Sequence, residues 1–172
     1  MNIKARQAMI IGSAIFIAVI VELTLLSRLG LPGATPDLVV VTIVALALAY
    51  GPLPGAIAGF SAGILMGLAP PFDGILGVQA ILFTIVGLIT GAVVDPRDRS
   101  VPVIMGMVGL STCGVVLLNA LFLAVLSGER VVWDTVPGLA LTGALYGLIL
   151  APLVVPGIGR IVRTLTPEVA VV

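Results

Sequence analysis

The sequence predicts an all-α integral membrane protein with about six transmembrane helices, and three observations predict it. Of 172 residues, 60% are hydrophobic and 9% charged, whereas soluble domains run about 45–50% apolar and about 25% charged. The apolar residues gather into runs that reach, or nearly reach, the length needed to cross a hydrocarbon core of about 30 Å as helix. The connectors between the runs are about ten residues or fewer, too short to hold a second folded domain. Residues 1–172 therefore read as a single polytopic membrane domain.

The first run, Ala8 to Leu26, follows Lys4 and Arg6. It begins like a signal peptide, but it continues for about 19 residues and no small-x-small cleavage site follows, so it reads as a retained first span. The second opens at Thr35-Pro36-Asp37 and runs to Tyr50. Thr suits an N-cap, Pro the first helical position, and Asp the positive end of the helix dipole. The third starts at Pro52 or Pro54 and stops at Pro70-Pro71. The second and third are each about 16 residues, near the lower bound for a span. They form either two short spans or a re-entrant hairpin buried against protein.

The fourth run extends from about Leu76 to Val94, with small residues at Ala80, Thr84, Gly87 and Gly91. The charged connector Asp95–Ser100 follows. The fifth begins at Ser100, a suitable N-cap ahead of Pro102, and continues to Leu126. Trp133, in the next connector, suits the interfacial aromatic belt. The sixth runs from about Pro137 to Val155, with Gly143, Gly147 and Ala151 at four-residue spacing. Pro152 is expected to kink or loosen its last turn.

The third run carries the most specific pattern. Gly55, Gly59, Gly63 and Gly67 recur every four residues, with Ala58 and Ala62 beside them. On a helix they share one nearly bare face, while Ile57, Phe60, Ile64 and Leu65 cover the rest. In water each interior glycine would cost about 0.8–1 kcal/mol relative to Ala. In lipid such small-xxx-small faces let two backbones approach closely. The face is either a packing seam within the protein or a seam that receives a partner's helix.

Six runs place both termini on one side. With the N-terminus inside, Lys4, Arg6, Arg97, Arg99, Arg160 and Arg163 are cytoplasmic and only Arg28 and Arg130 lie outside, a positive-inside bias. A re-entrant hairpin preserves the same parity.

Catalysis needs a nucleophile beside a base, a carboxylate pair, or a bound metal or cofactor. Histidine is absent and Cys113 is the only cysteine, which leaves no intrachain disulfide and no Cys/His metal cluster. Asp95 and Asp98 alternate with Arg97 and Arg99 as a self-neutralising surface turn. Asp73 and Glu129 sit in connectors with nothing to mark them as a pair. No catalytic or metal site and no cofactor is expected, and a net charge of zero gives no basic surface for nucleic acid.

Glu22 is the one ionisable residue well inside an apolar run, and such carboxylates are functional candidates. About 21 Å along its helix, it is expected either to reach the outer interface or an internal hydrogen bond, or to contact a partner or ligand. Gln79 and Asn119 are explained by hydrogen bonds between helices, worth about 0.6–1 kcal/mol, and Cys113 as a small packing residue.

Several stretches, in order along nearly the whole chain, carry a family resemblance. They are Leu31-Pro-Gly-Ala-Thr-Pro-Asp-Leu38, Gly51-Pro-Leu-Pro-Gly-Ala-Ile-Ala-Gly-Phe-Ser-Ala-Gly63, Ala69-Pro-Pro71, Glu22-Leu-Thr-Leu-Leu26, Val86-Gly87 with Gly91, and Leu150-Ala-Pro-Leu153. Together they resemble the rod shape-determining MreD family. Pro36-Asp37 followed by the Gly-Pro-Leu-x-Gly helix start is the most specific part. Two departures stand out: Met66-Gly67 occupies a place where many members carry an acidic residue, and Glu22 stands where glutamine is common.

The resemblance implies a non-enzymatic subunit of the bacterial cell-elongation machinery in the inner (cytoplasmic) membrane. Its implied partner is an MreC-like single-span protein. With that protein it would support a glycosyltransferase and a transpeptidase that build lateral peptidoglycan. Glu22, Pro36 and Asp37 are then candidates for partner or structural contacts. The family is also similar in fold to the substrate-binding subunits of energy-coupling-factor transporters, which makes a vitamin-like small-molecule binder the alternative.

Overall fold

A computed structural model describes residues 3–30, 32–69, 77–94, 100–127 and 132–165. The Pro70-Pro71 stop, Asp73, the Asp95–Arg99 turn, Glu129 and Arg130 lie outside the described residues. Six helices account for most of the chain: α1 (Ile3–Thr24), α2 (Leu38–Tyr50), α3 (Pro52–Leu68), α4 (Val78–Val93), α5 (Val101–Phe122) and α6 (Val136–Leu165). A 3₁₀ turn, Leu26–Arg28, follows α1, and a π turn, Leu123–Ser127, follows α5. No strand occurs among the described residues. Among the described residues, three segments are long and apolar enough to cross a membrane, Ile3–Arg28, Val101–Leu126 and Val136–Leu165, while α2, α3 and α4 are shorter apolar helices.

α2 is the centre of the bundle. Its sequence has no polar face, so apolar neighbours can enclose it on every side. Val39 to Tyr50 are all buried, and α2 touches each of the other five helices. Thirteen residues span only about 20 Å, so the other helices enclose it along its whole length. Gly51 then reverses the chain at φ 92° and is at once the C-cap of α2 and the N-cap of α3. That left-handed conformation is open to glycine at little cost, and Pro52 starts α3 in the next residue.

α3 and α4 form the most extensive helix pair. Gly55, Ala58, Gly59, Ala62, Gly63 and Gly67 are all buried. A Cβ on Gly55 would lie 2.6 Å from both the Ala47 Cβ and the Gly87 carbonyl oxygen, and one on Gly91 would lie 2.5 Å from the Pro52 Cα. At Gly59 it would fall on the Phe83 carbonyl, and at Gly63 on the Ala80 backbone. The small face is thus closed by α4, backbone against backbone. The bulky residues point away: Leu53, Ile57, Phe60, Ile64 and Leu68 are exposed.

The same inversion holds elsewhere. Leu141, Leu145, Ile149 and Leu153 make an exposed row on α6, while Ala140, Gly143, Ala144, Gly147 and Ala151 are buried. Small residues inside and large apolar residues outside would be an aggregation surface in water. Against lipid, where helices associate by close packing, it is the expected arrangement.

Three boundaries differ from the sequence expectation. α1 begins at Ile3, five residues before Ala8, because its polar first turn continues the helix ahead of the apolar run. α2 begins at Leu38, with Asp37 rather than Thr35 as its N-cap. α6 does not end near Val155 but runs through Pro152 and Pro156 to Leu165. Four residues apart, these prolines share one face. The carbonyl groups they leave unpaired can be satisfied locally, as in other membrane helices.

Candidate functional site

The alternating helices bring a set of polar residues to one end. α1 finishes there, α2 and α4 start there, α5 finishes there and α6 starts there. Glu22 lies two residues before the end of α1, Asp37 caps α2, and Gln79 is the second residue of α4. Asn119 lies near the end of α5, and Thr135 immediately precedes α6. All five line one cavity of about 550 Å³, together with Thr35 and, deeper on α5, Thr112.

The two carboxylates at this site are built into the fold. The first N–H groups of a helix have no intrahelical partner, and here they are buried with α2. The Val39 N–H donates to Glu22 Oε2 at 2.8 Å, and the Val40 N–H donates to Asp37 Oδ1 at 2.8 Å. Glu22 is only 9% exposed. It therefore serves as a second cap supplied from α1, placing an acceptor oxygen at the positive end of the α2 dipole. Glu22 thus makes an internal hydrogen bond, as the first of its readings expects. Pro36 is buried beside Asp37 and fixes the chain just before the cap.

The segment leading into Asp37 is tied to α6. The Ala34 N–H donates to Thr142 Oγ1 at 3.1 Å, and Tyr146 Oη donates to the Pro32 carbonyl at 3.1 Å. Gly33 adopts φ +89°, and a Cβ there would meet Thr142 Oγ1 at 2.5 Å. Only glycine meets both demands. Cys113 Sγ donates to the Ala140 carbonyl at 3.4 Å, linking α5 to α6, so it is a packing residue with one weak bond across the helix pair.

Gln79 departs from expectation. Its Oε1 is buried without a hydrogen-bond partner among the described residues, so it does not tie α4 to a described neighbouring helix through that atom. Gln79 and Asn119 instead line the cavity with Glu22 and Asp37. The sequence shows these polar residues singly; alternating the helix directions and measuring each residue from its helix end would have shown them converging.

The glycines and alanines of the α3 seam do not line this cavity; Met66 is the α3 residue that does. The site's chemistry is that of hydrogen bonding. Glu22 and Asp37 are both engaged with the α2 backbone, and no histidine is available in the chain to act as a base near neutral pH. Comparison with protein-family models, with curated proteins and with solved structures gives no match to the chain.

Proposed function

We propose that the chain is a non-enzymatic, multi-pass subunit of the bacterial inner membrane, with both termini cytoplasmic. In this reading it binds an MreC-like single-span protein and supports the glycosyltransferase and transpeptidase of the cell-elongation complex. The observation that carries the reading is the place of the residues behind the MreD resemblance. Glu22 and Asp37 cap the central helix, and Gly51 to Gly63 make the turn and the α3–α4 seam. The most specific motif is therefore architecture rather than a reaction centre, as befits a membrane scaffold. Lys4, Arg6, Arg160 and Arg163 lie at the end of the bundle opposite the polar cavity, in keeping with a cytoplasmic basic end.

Depleting the full chain in its native host tests the proposal. Cells should lose rod shape and round up while division continues. Rods of unchanged width after depletion would contradict it.

A second reading is favoured by one observation, the cavity of about 550 Å³. That volume is within the about 300–1,000 Å³ of small-molecule sites, and it is lined by hydrogen-bonding groups from several helices. This supports a vitamin-like binding subunit of an energy-coupling-factor type transporter. Native mass spectrometry of gently extracted protein distinguishes the two: a retained small molecule, lost on Gln79→Leu, supports the binder.

A further inference from the structure

A second concavity lies at the opposite end of the bundle. It has a volume of about 520 Å³ and is walled by the end of α2, the start of α5 and the last turns of α6. Its lining is apolar or small: Ala45 and Ala49 from α2, Ile104 and Met105 from α5, Pro152 and Pro156 from α6. The two prolines carry no N–H, so that wall offers no backbone donor at either position.

Arg163 is the only charged residue of the lining. Its side chain folds back along α6, with Nη2 3.8 Å from where a Gly159 Cβ would stand. It is exposed and has no hydrogen-bond or ion-pair partner among the described residues. Arg160, also exposed, lies one turn earlier at the same end.

We propose that this groove holds one acyl chain of an anionic phospholipid, with the lipid phosphate on the Arg163 guanidinium. An apolar trough suits a hydrocarbon chain and penalises a polar ligand left without partners. A guanidinium matches phosphate oxygens in bidentate geometry. Basic pockets between membrane helices are recognised sites for anionic headgroups. A partner helix, about 10–12 Å across with its side chains, would rest over a trough of this size rather than fill it. The inference is independent of the elongation-complex reading and requires only that the chain resides in a membrane.

The test places the full chain in nanodiscs of equal phosphatidylglycerol and phosphatidylcholine, extracts it gently and weighs the retained lipid by native mass spectrometry. The wild type should retain phosphatidylglycerol over phosphatidylcholine by about fivefold, the factor for one basic residue near an anionic lipid. Arg163→Gln, a surface change, should bring the ratio to about one on the same scale. Arg28→Gln, at the other end of α1, should leave the ratio unchanged. Gly159→Leu should reduce retention of both lipids while helical circular dichroism is preserved. A phosphatidylglycerol carrying a diazirine in its acyl chain should label residues 101–105 and 152–163. Equal retention of both lipids by the wild type, or an unchanged ratio in Arg163→Gln, overturns the proposal. So does labelling spread evenly over the exposed faces of α1 and α3, or a photo-cross-link from position 159 in native membranes that captures protein.

Discussion

Adding a single methyl group at Gly59 tests the packing argument most sharply. In Gly59→Ala the new Cβ would fall on the Phe83 carbonyl and stand 2.8 Å from the Thr84 backbone nitrogen. These are backbone atoms of a facing helix, so no rotamer change relieves the clash. α3 and α4 must separate, and a radial gap of about 0.5–1 Å already forfeits a quarter to a half of each dispersion contact across it. The cost should lie at the top of the overpacking range, about 2–3 kcal/mol, against a total stability of about 5–15 kcal/mol. At 1.4 kcal/mol per tenfold, that lowers the folded-to-unfolded ratio by about 30-fold or more. The assay is reversible unfolding in mixed micelles, followed by far-ultraviolet circular dichroism. Gly12→Ala and Gly106→Ala are the controls, since a Cβ at either meets nothing within 4 Å, and both should be as stable as wild type or up to about 1 kcal/mol more stable, the gain of Ala over Gly inside a helix. If Gly59→Ala unfolds like Gly12→Ala, the seam is not the tight interface described.

Other substitutions probe the polar end and the orientation. Glu22→Ala should destabilise by about 1–3 kcal/mol, because the buried Val39 N–H loses its acceptor; Glu22→Gln keeps an acceptor and should recover most of that in the same unfolding assay. Gly33→Ala should lose at least about 1–2 kcal/mol, the cost of a left-handed conformation for a residue with a Cβ, and a cysteine cross-link between positions 34 and 142 should form more slowly. In a Cys113→Ser background, Ser100→Cys should resist an impermeant thiol reagent in intact cells and Gly128→Cys should label readily; the reverse pattern overturns the N-in topology. Ile64→Leu, at an exposed α3 position, should leave stability within about 0.5 kcal/mol of wild type.

The helix pattern was readable because it rests on local chemistry. The almost wholly apolar stretch from Leu38 to Tyr50 foretold a helix, and Gly51-Pro52 foretold its abrupt end. The four-residue glycine spacing foretold a close-packed face, although spacing alone could not say that α4 would fill it. That depended on Gly87 and Gly91 meeting Gly55 and Pro52 across the pair, a tertiary match between two patterns. The extent of α6 was hidden because Pro152 and Pro156 are helix breakers in water and are tolerated among packed membrane helices. Glu22 stands out in the sequence as an internal carboxylate, but its acceptor role depends on α2 starting beside the end of α1, which no local signal states. The cavity was least legible of all. Each of its polar residues has an ordinary explanation alone, and only the alternating helix directions bring Gln79 and Asn119 to the level of Glu22 and Asp37.

The proposed place in the elongation complex is tested most directly by purifying the tagged full chain from its native membranes in mild detergent and identifying what accompanies it. The account predicts a single-span membrane protein with a large periplasmic part, in near-equal amount, whose binding survives exchange of the outer connectors for Gly/Ser sequence. Those connectors are too short to supply an interface of about 1,000 Å². Recovery instead of an ATP-hydrolysing transporter subunit with a bound small molecule, and no single-span partner, would contradict it.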